Sequence, residues 1–594
     1  MKRSLFVATL VAILIAGSIT SSGAQGGDDP GKVGSWGKPF AEIPLFAKRP
    51  PQNVKESLKS PPAVSIATLP DGRLVFWGGL EGIEDGTNPV AADGGRALIN
   101  SRVRVLDIRN GEPRFVKSTP EDGGAHDMFC ADQRLLANGK LLVVGGTLWH
   151  PDPIDLGPDV GGTVELFGSN AIRLFDPADN TWQPNRDWMR HPRWYPTLIT
   201  MPSGDLLIAS GVTRLIYNYS GQNVQQLETF DPQTNQVKVV KDADISLPLF
   251  PRLHLMPDGT VFYGGVGQMW GPFGQAVDEA LWGIHRSYDP GKRAWTTAGM
   301  GAYGARSGAF SILMPLKAPY KEAQVLIGGG TLGSSPGSYV ANNFTEIVTV
   351  KNGTSTSQEG PALNNRRWYS SGVLLPDGTV VALSGADRDE VILPASESPV
   401  KQAELFDGDK WIPLGAAGRV RTYHNSAILL ADGSILVGGH APINNGYGPK
   451  GDNSTEPVTG TNNLKDPSFE IFKPPYLFRG PRPEIAHVQA GIDYREDFDI
   501  ATPQAGEVKK VVLSRLPTTT HITDADQRSV ELGFNATSQG TLRVDGLPDG
   551  NVAPPGHYYL WILTNNGDGL TPSKARIVTI GRSIGGEATA PMGR

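Results

Sequence analysis

The chain carries a single cysteine in 594 residues. One thiol excludes any disulfide within the chain. Positive charge is also in short supply: 54 Lys and Arg face 60 Asp and Glu, for a net charge of −6, and no basic run occurs. That balance argues against nucleic acid and anionic membrane surfaces as partners. Beyond the N-terminus no apolar run is long enough to cross a bilayer. The lone thiol, Cys130, ends the stretch "EDGGAHDMFC". Cysteine arithmetic leaves it as an inert buried group, an intermolecular link or a reactive group.

What the chain does have begins at its first residues, "MKRSLFVATLVAILIAGSITSSGAQGG". Lys2 and Arg3 form a basic start, Leu5 to Ala16 an apolar core, and Ser22-Gly23-Ala24 a small-residue cleavage site. Residues 1–24 therefore read as a secretory signal peptide, and the mature chain as secreted or periplasmic. No cysteine follows the cleavage site, which argues against a lipid anchor. Gly (73) and Pro (48) make up about a fifth of the chain, as many tight turns require.

Those turns recur in a pattern: an apolar run, a turn often written Pro-Asp-Gly, a second apolar run, then Gly-Gly or Ser-Gly. Copies read "IATLPDGRLVFWGG", "RLLANGKLLVVGG", "LITMPSGDLLIASG", "LHLMPDGTVFYGG", "VLLPDGTVVALSG" and "AILLADGSILVGG", and "FSILMPLKAPYKEAQVLIGGG" carries an inserted turn. Asp-Gly and Asn-Gly between apolar runs signal hairpins. The closing glycines fall at 79, 146, 211, 265, 329, 385 and 439, a spacing of roughly 54 to 67 residues. Outer-strand signals such as "RLFDPADNTW" and "RSYDPGKRAW" follow several copies. Gly-Gly, an aromatic-Asp turn and a Trp make the kelch pattern, and the period predicts an all-β, seven-bladed propeller over 25–478. The early "GKVGSWGKPFAEIP" is placed to close the last blade. After the prolines at 474, 475, 481 and 483 the pattern stops. Short strands such as "KKVVLSRL" and "HYYLWILTN" then predict an immunoglobulin-like sandwich over 479–582, with a tail at 583–594.

The repeat register places polar residues. The first strand of each blade lies innermost, and all first strands start at the same end of the channel. Nine residues before the turn glycine stand Cys130, Tyr195, Phe250, Tyr369 and His424, the last preceded by Tyr423. A thiol, phenols and an imidazole converging on one channel mouth are the composition of a transition-metal site. Taken singly, each also reads as packing: a buried Cys as a small hydrophobe, Tyr369 in "RWYS" as a core ring.

Four segments, "HDMFC", "RWYPTLITMPSGDLLIASG", "RTYHNSAILLADGSILVGG" and "TTTHITDADQRSVEL", closely resemble the active-site segments of the copper radical oxidases, the galactose oxidase and glyoxal oxidase family. They occur in family order and in the expected domains. The sugar-binding N-terminal domain of galactose oxidase is absent, which brings the chain nearer to glyoxal oxidase and its bacterial relatives. The resemblance implies copper held by Tyr195, Tyr423, His424 and His521. It implies a thioether between Cys130 and Tyr195 that serves as a radical cofactor. His521 lies in a sandwich loop, so that loop has to enter the channel. The implied activity is oxidation of a small aldehyde, a primary alcohol or a terminal glycan hydroxyl by a monomer, with O2 reduced to H2O2. Cys130, Tyr195 and Tyr423 would carry the catalysis.

The chain also departs from the family. Galactose oxidase carries a Trp in the stretch that here reads Val212-Thr213-Arg214. Trp149 or Trp194 is the candidate substitute, and Arg252 and Arg306, near the starts of inner strands, are candidates for the substrate mouth or for structural salt bridges. The competing expectations are a non-catalytic propeller that binds polysaccharide or cell-wall material, and a copper-binding protein without turnover.

Overall fold

A computed structural model describes residues 29–42, 61–78, 103–119, 126–151, 164–215, 223–269, 280–332, 340–389, 398–441, 466–537 and 540–581. The expected signal peptide and C-terminal tail lie outside the described residues. Among the described residues strands dominate; helix is confined to Pro30–Val33 and a 3-10 turn at Pro475–Phe478. None of their helices is long and apolar enough to cross a membrane.

The fold is the expected all-β one, and the hairpin repeat supplies its strands. In sheet after sheet the order is a meander of four. One runs Thr197–Thr200, Leu206–Ala209, Leu227–Asp231, Gln236–Val240; another runs Ser371–Leu374, Val380–Leu383, Gln402–Phe406, Trp411–Ala416. The turn glycines explain the hairpins. Gly139, Gly204, Gly259, Gly378 and Gly433 have φ between 84° and 97°, a region open to glycine at little cost. The amide of each donates three residues back, as Gly204 does to the Met201 carbonyl at 2.9 Å. Inner strands of successive sheets touch around a common channel: His126–Leu135 lies against both Ser65–Thr68 and Thr197–Thr200, and Ser371–Leu374 against Asn425–Leu429. The early segment closes the ring as expected. Its strand Ser35–Trp36 pairs antiparallel with Glu470–Lys473, Trp36 opposite Phe472, as outermost strand of the last sheet.

The C-terminal unit has two facing sheets. One is built on Val508–Arg515 and Gly556–Asn565, the other on Phe498–Ala501 and Thr541–Val544. The two central strands are apolar on both faces, for a tertiary reason. Val511, Leu513, Leu560 and Ile562 fill the sandwich core. Val512, Tyr559, Trp561 and Leu563 join one core with propeller residues Ala67, Leu135, Val373 and Leu429. A strand covered on both sides reads as a continuous apolar run rather than an alternation.

Two features seat this unit in the channel. Strand Thr518–Thr520 pairs with the innermost strand Ser65–Thr68, Ser65 opposite Thr520. Below it runs a buried charge network. Asp132 accepts from Arg134 at 2.8 Å, Asp526 lies 3.2 Å from Arg515, and the Thr200 amide donates to Asp526 at 2.8 Å.

Candidate metal centre

The register positions share a backbone conformation. Cys130, Tyr195, Phe250, Tyr369 and His424 have φ of 63°, 62°, 42°, 58° and 52°. A side chain in this left-handed region costs roughly 1–2 kcal/mol. It bends the chain just before the inner strand, or at the irregularity within His126–Leu135 in the case of Cys130, and turns the side chain toward the channel. Backbone hydrogen bonds link these positions between sheets. The Tyr195 amide donates to the Cys130 carbonyl at 3.1 Å, and the Phe250 amide to the Tyr195 carbonyl at 2.9 Å. Asn425 Nδ2 donates to the Tyr369 carbonyl at 2.9 Å. The strain repeats because the linkage repeats.

The bends gather one cluster. Cys130, Tyr195, Tyr369, Tyr423, Phe129, Phe250, Trp194 and Trp368 form a single buried group. The Tyr195 hydroxyl lies 3.1 Å from that of Tyr423 and 3.4 Å from His424 Nε2. His521 stands on the tip of the sandwich hairpin that follows Thr518–Thr520. Its ring packs 4.6 Å from that of His424 and 4.7 Å from that of Tyr195, and its Nε2 lies 3.6 Å from Cys130 Sγ. All five expected site residues are thus brought together at 0% exposure.

Both imidazoles are held from behind. His424 Nδ1 meets the Ala441 carbonyl, and that acceptor sets the proton on Nδ1. His521 Nδ1 lies 2.7 Å from Thr520 Oγ1, itself 2.9 Å from Ser65 Oγ. In each ring Nε2 faces the cluster. Burial lowers the His424 pKa to about 3 and that of His521 well below the ordinary value. The rings are therefore neutral and able to donate a lone pair. Two phenol oxygens and two imidazole nitrogens on one buried point fit a transition metal. Bonds of about 2 Å set neighbouring donors about 3 Å apart, close to the spacings around the Tyr195 hydroxyl.

The other expected residues divide. Trp194 stacks on the Tyr195 ring at 3.8 Å and 9°, and Phe250 stacks on it at 4.4 Å and 29°. Trp194 is bridged through its backbone to Val212, in the very stretch where the galactose oxidase Trp is missing. Trp149 lies on strand Leu141–Pro151, its side chain outside the described residues. Arg306 takes the salt-bridge reading rather than the substrate mouth. It is fully buried and pairs with Glu346 at 2.9 Å. The same pair recurs as Arg193–Glu228 at 2.8 Å and Arg367–Glu404 at 2.9 Å, so it belongs to the repeat. Arg252 is also buried, and it donates to the His521 carbonyl instead of facing a described surface. Tyr369, read as packing, has its ring 4.5 Å from that of Tyr423. Thr520 and the Ala441 carbonyl were not foreseen. A backbone acceptor leaves no mark in a sequence, and Thr520 looks like any strand threonine.

The chain is similar to several known proteins. Residues 482–580 match the galactose oxidase-like, early set domain family. A WSC domain-containing protein of Arthroderma benhamiae is 27% identical over 520 residues, which cover 80% of this chain but only 48% of that protein. The aldehyde oxidase GLOX1 of Arabidopsis thaliana is 25% identical over 513 residues, 78% of this chain and 72% of that one. A galactose oxidase of Gibberella zeae is 23% identical over 570 residues, 92% of this chain and 71% of that one. A solved fungal alcohol oxidase of the AA5 family, in complex with copper, shares the fold with a TM-score of 0.67 at 20% identity, covering 93% of this chain and all of that one. Relatives named as oxidases support the expectation of an oxidase. In sequence the chain is similar to proteins named galactose oxidase and aldehyde oxidase, the group its four motifs resemble, and it shares its fold with a copper-containing AA5 alcohol oxidase.

Proposed function

We propose that this protein is an exported copper radical oxidase of small aldehydes or primary alcohols, a terminal glycan hydroxyl included. The observation that carries the reading is the meeting of two phenols, two neutral imidazoles and the chain's only thiol at one buried point. Binding alone needs no thiol beside a phenol. Tyr195, Tyr423, His424 and His521 would hold copper, which when bound supplies a one-electron couple.

Oxidising an alcohol or an aldehyde hydrate takes two electrons, so the chain itself has to hold the second equivalent. Tyr195 does so as a radical once its ring carries the Cys130 sulfur. Forming that thioether makes one C–S bond and breaks an S–H and a ring C–H. The two electrons and two protons released pass to O2, giving H2O2. In turnover, Tyr423 as phenolate takes the substrate hydroxyl proton, and oxidised Tyr195 takes a hydrogen atom from the adjacent carbon. O2 then accepts two electrons and two protons. Trp194 shields one face of the Tyr195 ring from solvent. The leader sequence supports export, where O2 is available and no second cysteine of this chain competes for Cys130.

Intact mass tests the reading. Exposure of the protein to copper and O2 is expected to remove two hydrogen atoms, and Cys130→Ser to abolish the loss. An unchanged mass with Cys130 titrating as a free thiol would sink it. Peroxide release across a panel of aldehydes and primary alcohols then assigns the substrate class.

A further inference from the structure

His521 sits on an improbable turn. Thr520 and Thr523 exchange backbone bonds, Thr520 N to Thr523 O at 3.1 Å and Thr523 N to Thr520 O at 2.7 Å. Between them His521 and Ile522 have φ of 49° and 59°. A two-residue turn with both centres left-handed favours Asn-Gly, and a β-branched residue is the poorest choice there. The base of this hairpin is anchored by sheet pairing to Ser65–Thr68 and by the Thr518 amide, which donates to Asp524 at 3.1 Å. Sheet pairing does not reach the tip, so the strained turn needs another support.

Arg252 supplies that support. One of its terminal nitrogens, Nη1, donates to Thr523 Oγ1 and to the Phe250 carbonyl at 2.9 Å; Nη2 donates to the His521 carbonyl at 3.3 Å. The side chain is 3% exposed. Arg193 and Arg367 stand two residues before the register tyrosines Tyr195 and Tyr369, and with Arg306 each faces a glutamate, whereas Arg252 stands two residues after Phe250. No ion pair of Arg252 occurs among the described residues. A guanidinium buried without a carboxylate is costly, and here its two terminal nitrogens donate to carbonyls and a hydroxyl while Nε has no partner among the described residues. Phe250 is in turn bonded through its amide to the Tyr195 carbonyl. A single planar fork therefore ties the sandwich hairpin to the strand start that follows Tyr195. A lysine ammonium, a single point on a flexible stem, cannot span those acceptors in the same way.

We propose that Arg252 is a positioning residue: it holds the strained Thr520–Thr523 hairpin so that the His521 imidazole is presented to the cluster. The inference rests on the reading of His521 as a metal donor, but the clamp itself can be observed without metal. Arg252→Met is expected to weaken copper binding about 10- to 100-fold in competition with a chelator. It is also expected to alter the nitrogen hyperfine pattern of the copper(II) EPR spectrum and to speed hydrogen exchange at the Thr520 and Thr523 amides of the metal-free protein. Arg252→Lys should fall between, and it carries the same three readouts if the Met variant folds poorly. Ile522→Gly removes the side-chain penalty of the turn, so Arg252→Met with Ile522→Gly should bind copper more tightly than Arg252→Met alone. Wild-type affinity, EPR pattern and exchange in Arg252→Met would overturn the proposal. A wild-type protein that binds no copper, with exchange still faster in Arg252→Met, would overturn the metal reading and leave the clamp standing.

Discussion

Tyr195 illustrates how much one ring depends on its neighbours. Its hydroxyl meets Tyr423 and His424, its plane lies on Trp194, and its backbone bonds to Cys130. Stacking contributes about 0.5–1.5 kcal/mol beyond area burial. Trp194→Leu is therefore expected to leave the two-hydrogen mass loss intact and to shorten the lifetime of the oxidised Tyr195 signal about 2- to 10-fold, followed by EPR or absorbance decay. Tyr423→Phe removes the proposed proton acceptor and should lower kcat by about 10²- to 10⁴-fold. A kcat within a few-fold of wild type would remove Tyr423 from that role. These positions were legible because a count from the turn glycine needs no tertiary knowledge. His521 was not reachable by that count, since it lies outside the repeat, and only the family motif pointed to it.

At the scale of the element, four of the described sheets carry a buried cross-brace. Arg193 reaches from the start of its inner strand to Glu228 on the third strand and also donates to the Ser210 carbonyl. Arg306, Arg367 and Arg421 repeat the brace, Arg421 with Glu470 at a looser 3.5 Å. Breaking a buried pair leaves a charge without its partner and costs about 3–5 kcal/mol, whereas replacing both partners with apolar groups costs far less. Arg193→Met should destabilise by that amount in urea unfolding, and Arg193→Met with Glu228→Leu should recover most of it. Equal loss in the single and double variants would show that the brace stabilises through something other than charge pairing. The repeat was legible in glycine spacing, but the role of its arginines was not. Arg252 and Arg306 look alike in sequence; one meets a hairpin tip and the other a glutamate, and that difference is non-local.

For the whole molecule, the propeller and the sandwich share one hydrophobic core and one buried charge network. Burial also sets the response to acid. His254 is lowered to about 3 and His285 to about 4, both mainly by burial. Unfolded, each titrates near 6.5, so below that pH the unfolded chain binds the extra proton. The stability these residues contribute is complete above about pH 6.5 and is lost as pH falls toward 4. The slope is about 1.4 kcal/mol per pH unit for each, or about 3 for the two. Urea midpoints at pH 7, 6 and 5 should fall accordingly, with the other buried histidines adding to the slope, and His254→Gln should remove one residue's share of it, about 1.4 kcal/mol per pH unit. A pH-independent midpoint over this range would contradict the assignment.

By itself, the sequence determined the repeat, the hairpin turns and the register, because glycine spacing and turn chemistry are local properties. From the register followed the left-handed strand starts that turn Cys130, Tyr195 and His424 toward one channel mouth. Tertiary structure alone decided which loop enters that channel, which arginine braces a blade and which clamps a turn, and why the two central sandwich strands are apolar on both faces. Those outcomes depend on burial and on partners distant in sequence, from Glu228, 35 residues beyond Arg193, to His521, 269 beyond Arg252, and no local pattern of side chains encodes them.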